Sequence, residues 1–485
     1  MKNFLVTAKK IIPTKLFKAL QPAYHFLLNY LANIILGRPS QRLIVVGVTG
    51  TTGKTSSVYL IAKTLTSAGY RVGYTSTAMF NDGSREWLND KKMTMMGGFF
   101  TQKILRRMVK NKCQYAIIET TSEGIHQFRH RFINYDILVF TGLYPEHIES
   151  HGSFENYKKA KGQLFAHLKN CRTKYVNDQK FVERPKSELQ KLNWQRVKKA
   201  IVANFADESA GYFLNFWAEL KIGYTMENYH DKSEEVDYEI NSQENLELIK
   251  GANIQASAFG TEFDVLLLSD FFTSEARGIH INSKLLGDFS ATNSMNAVGV
   301  ALSQGLSLEQ IKTGLEKIKG ITGRMEMINI GQNFSVVVDY AFEPRALSKL
   351  YETVKLLPHN QIIHVLGSAG GGRDRSRRPI LGEIAGHQAD FVIITNEDPY
   401  DEDPEAIITE VALGAEKAGK ANKINLFKIS ERRAAIKKAL TLAKDGDIVL
   451  ITGKGSEQAI CVKNGQKIPW DDRVVAREEL QKICG

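Results

Sequence analysis

Runs of consecutive apolar residues alternate with stretches of helical spacing along most of this 485-residue chain. Leu43–Val48, Tyr115–Glu119, Ile137–Thr141 and Tyr175–Asn177 read as buried strands, while Val58, Leu60, Ile61 and Leu65 recur at the spacing of a helix. Alternation of this kind over residues 41–180 predicts a mostly parallel sheet with helices on both faces. Residues 185–285 are less regular, with acidic patches and short β-like pieces such as Phe263–Leu268. Ala297–Leu306 and Leu308–Ile318 read as helices that close the unit. A second strand–helix series then begins, with Ser335–Val338, Gln361–Leu366, Phe391–Thr395 and Asp447–Ile451 as strands. The expected fold class is α/β, divided into a short helical N-terminal segment (1–40), a central domain (41–320) and a C-terminal α/β domain (321–485).

In the N-terminal segment Tyr24, Leu27, Leu28, Leu31, Ile34 and Ile35 fall on one helical stripe, ended by Gly37-Arg38-Pro39. His25, Asn29 and Asn33 interrupt it too often for a membrane span. A strand follows almost at once, which argues against a cleaved leader. Two readings stay open: a lead-in helix packed on the next domain, or an amphipathic helix lying on an anionic membrane face. The net charge of +11 is concentrated here, since residues 1–42 carry seven Lys/Arg and no acid, leaving about +4 for the rest. Basic residues are not interleaved with aromatics across the bulk of the chain, so no nucleic-acid partner is expected. Cys113, Cys171, Cys461 and Cys484 are far apart, which fits a reducing compartment and excludes a metal knuckle or disulfide framework.

The strongest chemical signal is VVGVTGTTGKTSS, Val45–Ser57: a strand, a glycine-rich loop, Lys54-Thr55, then a helix. Glycines turn backbone N–H groups toward phosphate oxygens, the helix N-terminus adds its positive end, Lys54 neutralises charge and the Thr55 hydroxyl reaches a Mg²⁺ ion. Val48 stands where the general G-x-x-x-x-G-K-[ST] pattern has its first glycine. Gly50, Thr51, Thr52, Gly53, Lys54, Thr55 and Ser56 are therefore the expected nucleotide cradle. Glu119 ends a parallel strand beside it, as a Mg²⁺ ligand or as a cap or ion-pair partner. His147 and His151 are four apart, but hard Mg²⁺ with one imidazole fits the loop composition better than zinc; surface histidines are the alternative. Asn293 either reads an adenine edge or caps a helix. Arg324 can reach phosphates across an interdomain cleft, Asp339 ends the first strand of the second series, and the arginines of Gly367–Pro379 suit carboxylate capture or a solvated loop.

These strings occur in a fixed order: GVTGTTGKTS, ETTSEGIHQFR, TGLYPEHIESHGSFENYKKAKGQLF, LLGDFSATN, ITGRMEMI, VVVDYAFEP, GSAGGGRDRSRRP, TNEDPYDEDPEAII and ITGKGSE. Together they resemble the Mur ligase family, within it the MurE type, from about Leu43 to the C-terminus. The resemblance implies a phosphate-loop central domain, a Rossmann-like C-terminal domain and an ATP-dependent amide ligase. In such enzymes ATP phosphorylates a carboxylate, an amino acid attacks the acyl phosphate, and Mg²⁺ with Lys54 offsets the repulsion between anions. The family pattern puts Thr55, Glu119, His147 and Lys161 on two Mg²⁺ ions, with Lys161 carried as a carbamate. It puts Asn293 on the adenine, Arg324 on the phosphates and Asp339 on the ribose. Thr94, Thr121, Gln127 and Arg129 match contacts to a UDP-muramoyl-peptide. Arg373, Asp398, Gly453 and Glu457 match contacts to the incoming amino acid.

The departures from the pattern fall in the substrate pockets. About 42 residues precede the first strand, without the family's uridine-holding domain, so the expectation is that uridine recognition is either lost or falls to another surface or chain. Tyr400 replaces the arginine of the family's D-N-P-R motif, Met95 the second threonine of a pair, and Glu123, Phe342 and Ser456 three histidines. The leading expectation is a ligase adding the third amino acid to a muramoyl dipeptide in peptidoglycan precursor synthesis. It is expected to act as a cytoplasmic monomer; the membrane-face reading of residues 1–40 adds peripheral contact at the inner membrane surface. The alternatives are a related ligase such as folylpolyglutamate synthetase, or a non-catalytic nucleotide-binding scaffold.

Overall fold

The computed structural model describes residues 14–145, 152–185, 187–226, 245–269 and 277–484. Its larger sheet has 11 strands. The strand Ile44–Thr49 lies inside it, buried at all six positions, between Tyr115–Glu119 and Ile137–Phe140. Seven neighbouring strands run parallel, from Leu246–Ser257 through Leu220–Met226, Ala200–Asn204, Ile137–Phe140, Ile44–Thr49 and Tyr115–Glu119 to Val72–Thr75. Antiparallel strands extend both edges. Side chains alternate across the sheet. Val46 and Val48 pack with the helices Lys54–Ser67 and Asp288–Ser303, while Val45 packs with Gly98–Lys110 and Phe154–Leu168.

Three expectations are corrected. Tyr175–Asn177 does not join the large sheet; Lys174–Val176 is the middle of a three-stranded antiparallel sheet with Val182–Glu183 and Gln195–Val197. The reason is Lys174, whose ammonium bonds the main-chain oxygens of Leu43 and Asn134, each at 2.7 Å, and so holds the strand across the amino ends of its neighbours. Residues 185–285 are also more regular than expected: Leu246–Ser257, Gly260–Leu267 and Gly278–Ser283 form an antiparallel meander. Their burial alternates, so no continuous apolar run marks them. Finally, the helix expected at Ala297–Leu306 spans Asp288–Ser303, because its first turns are rich in Ser, Thr and Asn rather than in apolar spacing.

The second sheet has six strands, in the order Glu326–Met327, Ser335–Val338, Ile448–Ile451, Ile362–Leu366, Phe391–Ile394, Leu426–Lys428. All neighbours are parallel except the first pair. Pro344–Val354, Arg377–Gln388 and Pro404–Lys417 cover one face; Arg432–Leu442 and Asp472–Cys484 cover the other. The carboxyl ends of these strands carry Asp339, Asp398 and Gly453. At the chain's start the helix Thr14–Ile35 packs on Gly98–Lys110. Among the described residues, no helix is long and apolar enough to cross a membrane.

Candidate active site

The loop after Ile44–Thr49 is closed by two tight approaches. A side chain at Gly50 would meet Thr141 Oγ1, whose hydroxyl donates to Thr52 O at 2.6 Å. Gly53 has φ +76°, and a Cβ there would stand 2.3 Å from Asn293 Oδ1. Only glycine adopts that backbone without strain and admits the amide so close. Gly287, not Asn293, is the N-cap of Asp288–Ser303, so the capping alternative for Asn293 is excluded. Thr51 N donates to Gly142 O at 2.8 Å, Ser56 is buried, and Lys54 opens the helix with its Nζ on Gly50 O (3.0 Å) and Thr51 O (2.5 Å). Burial pulls the Lys54 ammonium below its usual range, with Glu119 and Glu343 opposing and Arg324 adding to the shift.

The register Val48↔Glu119 delivers Glu119 to this loop. Its carboxylate is 1% exposed and accepts from Thr55 Oγ1 (2.9 Å), Thr77 N (2.8 Å) and Thr77 Oγ1 (2.9 Å). Thr77 Oγ1 also lies 2.9 Å from Thr94 Oγ1. Among the described residues no lysine or arginine pairs with Glu119. A buried carboxylate met only by hydroxyls and an N–H suits a hard cation, so Thr55 and Glu119 fit the Mg²⁺ role. Lys161 is 1% exposed, with its Nζ 2.8 Å from Gly50 O and 4.5 Å from the centroid of the Tyr157 ring. Burial, then the neighbouring Lys54 charge, hold its ammonium well below the usual lysine range. His147 and His151 lie outside the described residues.

Thr121 caps the short helix Ser122–His126, its hydroxyl accepting from Gly124 N at 3.1 Å. Arg129 donates to Gln127 Oε1 and to Met95 O, so Gln127 and Arg129 are oriented together. Arg324 lies over the Tyr340 ring at 4.5 Å and donates to Gly323 O at 2.9 Å. Asp339 is buried, which raises its carboxyl, and accepts from Met325 N (2.7 Å) and Ala341 N (2.6 Å). Gly453 ends its strand against Glu397, and Arg373 is exposed in the arginine-rich loop.

Asp398 and Glu457 are held by two lysines. Lys454 Nζ is 3.0 Å from Asp398 Oδ1 and 2.7 Å from Glu457 Oε2. Lys92, from the other sheet's unit, bonds Asp398 and stands 2.9 Å from Glu457. Burial alone would push the Asp398 carboxyl up; Lys454 and Lys92 overcome it and hold the group below its ordinary value. Nothing local in the sequence marks Lys92 or Thr77 as site residues, whereas Lys454 stands inside the GKGSE string. Tyr144 OH bonds Glu343 Oε2 at 3.0 Å and ties the two units a second time.

Residues 48–215 match the Mur ligase middle domain and residues 323–455 the Mur ligase, glutamate ligase domain. A "UDP-N-acetylmuramyl-tripeptide synthetase" of Roseiflexus sp. (strain RS-1) is 35% identical over 455 residues, covering 93% of this chain and 81% of that protein. The chain belongs to the Mur ligase family. As a Mur ligase it is an ATP-dependent enzyme that forms C–N bonds, and ATP and Mg²⁺ are the family's cofactors. Among solved structures, a UDP-N-acetylmuramoyl-L-alanyl-D-glutamate–2,6-diaminopimelate ligase shares 27% identity at a TM-score of 0.54, covering 92% of this chain and 79% of that one. The Mycobacterium tuberculosis folylpolyglutamate synthase superposes at 0.61 over 96% and 98% of the chains, with 14% identity, a likeness of fold.

Proposed function

We propose that this Mur ligase adds one amino acid to a UDP-N-acetylmuramoyl dipeptide during peptidoglycan precursor synthesis. One observation carries the reading: a hydrogen-bonded run, Thr55–Glu119–Thr77–Thr94, links the phosphate loop to the expected acceptor wall. ATP with two Mg²⁺ ions supplies the phosphoryl group that activates the acceptor carboxylate. Gly50–Ser56 hold the phosphates, and Lys54 offsets charge as the two anions approach. Thr55 and Glu119 hold one ion. Lys161, with His147, serves the second as a carbamate, because a buried amine without its proton can take up CO₂ and become an anion. Asn293, Arg324 and Asp339 hold the nucleotide from the adenine, phosphate and ribose sides.

Thr94, Thr121, Gln127 and Arg129 orient the acceptor. Arg373 takes the carboxylate of the incoming amino acid, and Asp398 and Glu457, beside Gly453, take its ammonium groups. Tyr400 in place of the family arginine removes a partner for a distal carboxylate, so a diamino acid with one carboxylate is the expected donor. The test is phosphate release with UDP-muramoyl dipeptide and a panel of lysine, ornithine and diaminopimelate, with a folate acceptor and glutamate as a separate arm. Turnover with lysine or ornithine above diaminopimelate is expected. Turnover confined to the folate arm would overturn the reading.

A further inference from the structure

Every exposed residue of the N-terminal helix between Tyr24 and Ile35 is apolar. Phe26, Leu27, Tyr30, Leu31, Ile34 and Ile35 are between 41% and 62% exposed. Their spacing, i, i+1, i+4, i+5, i+8, i+9, draws one continuous stripe along the helix. The side turned toward the protein is mixed and carries both asparagines of this stretch. Asn29 is 4% exposed and donates to Gln127 O at 3.1 Å; Asn33 is half-buried; Ala32 is fully buried between them. A surface helix of a water-surrounded protein has the opposite arrangement. The stripe is anchored along one edge, where the Phe26 and Tyr30 rings lie 5.1 and 5.6 Å from that of Phe132.

Charge decides what covers this face. Residues 1–42 contribute Lys2, Lys9, Lys10, Lys15, Lys18, Arg38 and Arg42, and no acid. Two copies meeting through the stripe would pair two segments that are each basic and free of carboxylates. A surface of anionic lipid headgroups over an apolar interior matches both the stripe and the cations. We propose that the helix Thr14–Ile35 lies in the plane of an anionic bilayer with this stripe at the acyl boundary, docking the protein on a membrane. The Asn29–Gln127 bond then sets the segment Gln127–Arg129 next to that surface. The inference does not rest on the ligase reading, since lipid binding is measured without turnover.

The experiment is flotation of the full chain with vesicles of phosphatidylcholine alone and of phosphatidylcholine mixed with phosphatidylglycerol, alongside light scattering on the lipid-free protein. A monomer is expected, binding the anionic vesicles at least about tenfold more tightly and weakening as salt rises. The double variant Leu27→Glu/Leu31→Glu should lose flotation while keeping its circular dichroism and ATP turnover. The milder Leu31→Ala/Ile34→Ala should weaken binding about fivefold or more, by removing apolar contact alone. No flotation with either vesicle overturns the proposal. So does equal binding to both vesicles, and so does a dimer that the Glu variant converts to monomer.

Discussion

Lys161 sits where an ammonium is hard to keep. It is buried, its Nζ lies beside a carbonyl and a ring, and among the described residues the Lys54 charge acts on it. Both burial and that charge favour the neutral amine, which is the form that takes up CO₂. Lys161→Ala is expected to lower amino-acid-dependent ADP release by about a hundredfold, the scale of losing a group that supports a metal site. Acetate or formate should restore part of it by standing in for the lost anion. Unchanged ADP release in the plain variant would remove the carbamate assignment. Glu119 is the counterpart: among the described residues its buried carboxylate accepts from the Thr55 and Thr77 hydroxyls and from Thr77 N.

At the scale of elements, the large sheet is tied at its amino ends by one carboxylate. Asp136 is fully buried, just ahead of Ile137–Phe140. Its Oδ2 accepts from Val45 N at 2.8 Å and Lys174 Nζ at 2.5 Å, and its Oδ1 from Lys199 Nζ at 2.8 Å. It thereby joins the phosphate-loop strand, the small three-stranded sheet and the lead-in to Ala200–Asn204. Burial lowers the Lys174 ammonium to about 8 even with this partner. Asp136→Asn leaves two buried ammonium groups without a counter-charge, which costs about 3–5 kcal/mol. The urea unfolding midpoint should fall accordingly, with the slope unchanged. An unfolding free energy within about 1 kcal/mol of wild type would mean that the lysines find other partners or lose their protons at little cost.

Across the whole molecule, the loop Asp90–Met93 fastens one sheet's unit to the other. Lys92 binds Asp398 and Glu457, and the main-chain oxygen of its neighbour Lys91 accepts from Lys467 at 2.9 Å. The two carboxylates raise the Lys92 ammonium above its usual range against the pull of burial. Breaking a buried pair by removing one partner is costly because the other charge stays behind. Lys92→Met is therefore expected to let the units separate: the radius of gyration from small-angle scattering should rise in ligand-free protein, with circular dichroism unchanged. The KM for the amino acid should shift at least severalfold while the KM for ATP moves little. An identical scattering profile would show that Tyr144–Glu343 and the remaining contacts suffice.

The phosphate-loop motif was legible in the sequence because its own residues are consecutive. Strand, glycines, Lys54-Thr55 and helix follow each other directly, whereas the contacts that close the loop come from afar, Thr141 bonding Thr52 O across 89 residues and Asn293 standing against Gly53. The central parallel strands beside that motif followed from apolar runs for the same reason, but the antiparallel meander over 246–283 did not, because its burial alternates. Tertiary structure alone decided where distant charges meet. Lys92 and Asp398 stand 306 residues apart, and no local pattern relates them. Lys174 likewise pulled its strand out of the sheet that its apolar neighbours suggested. The N-terminal helix shows the division most plainly: its periodicity gave Leu27, Leu31, Ile34 and Ile35 correctly, but the exposed stripe takes in Phe26 and Tyr30 where the spacing suggested Tyr24 and Leu28, which are half-buried. Which way that stripe faces was settled by Asn29 and Ala32 fitting against Gly98–Lys110 and Gln127, since periodicity gives a helix two faces without saying which one the rest of the protein will cover.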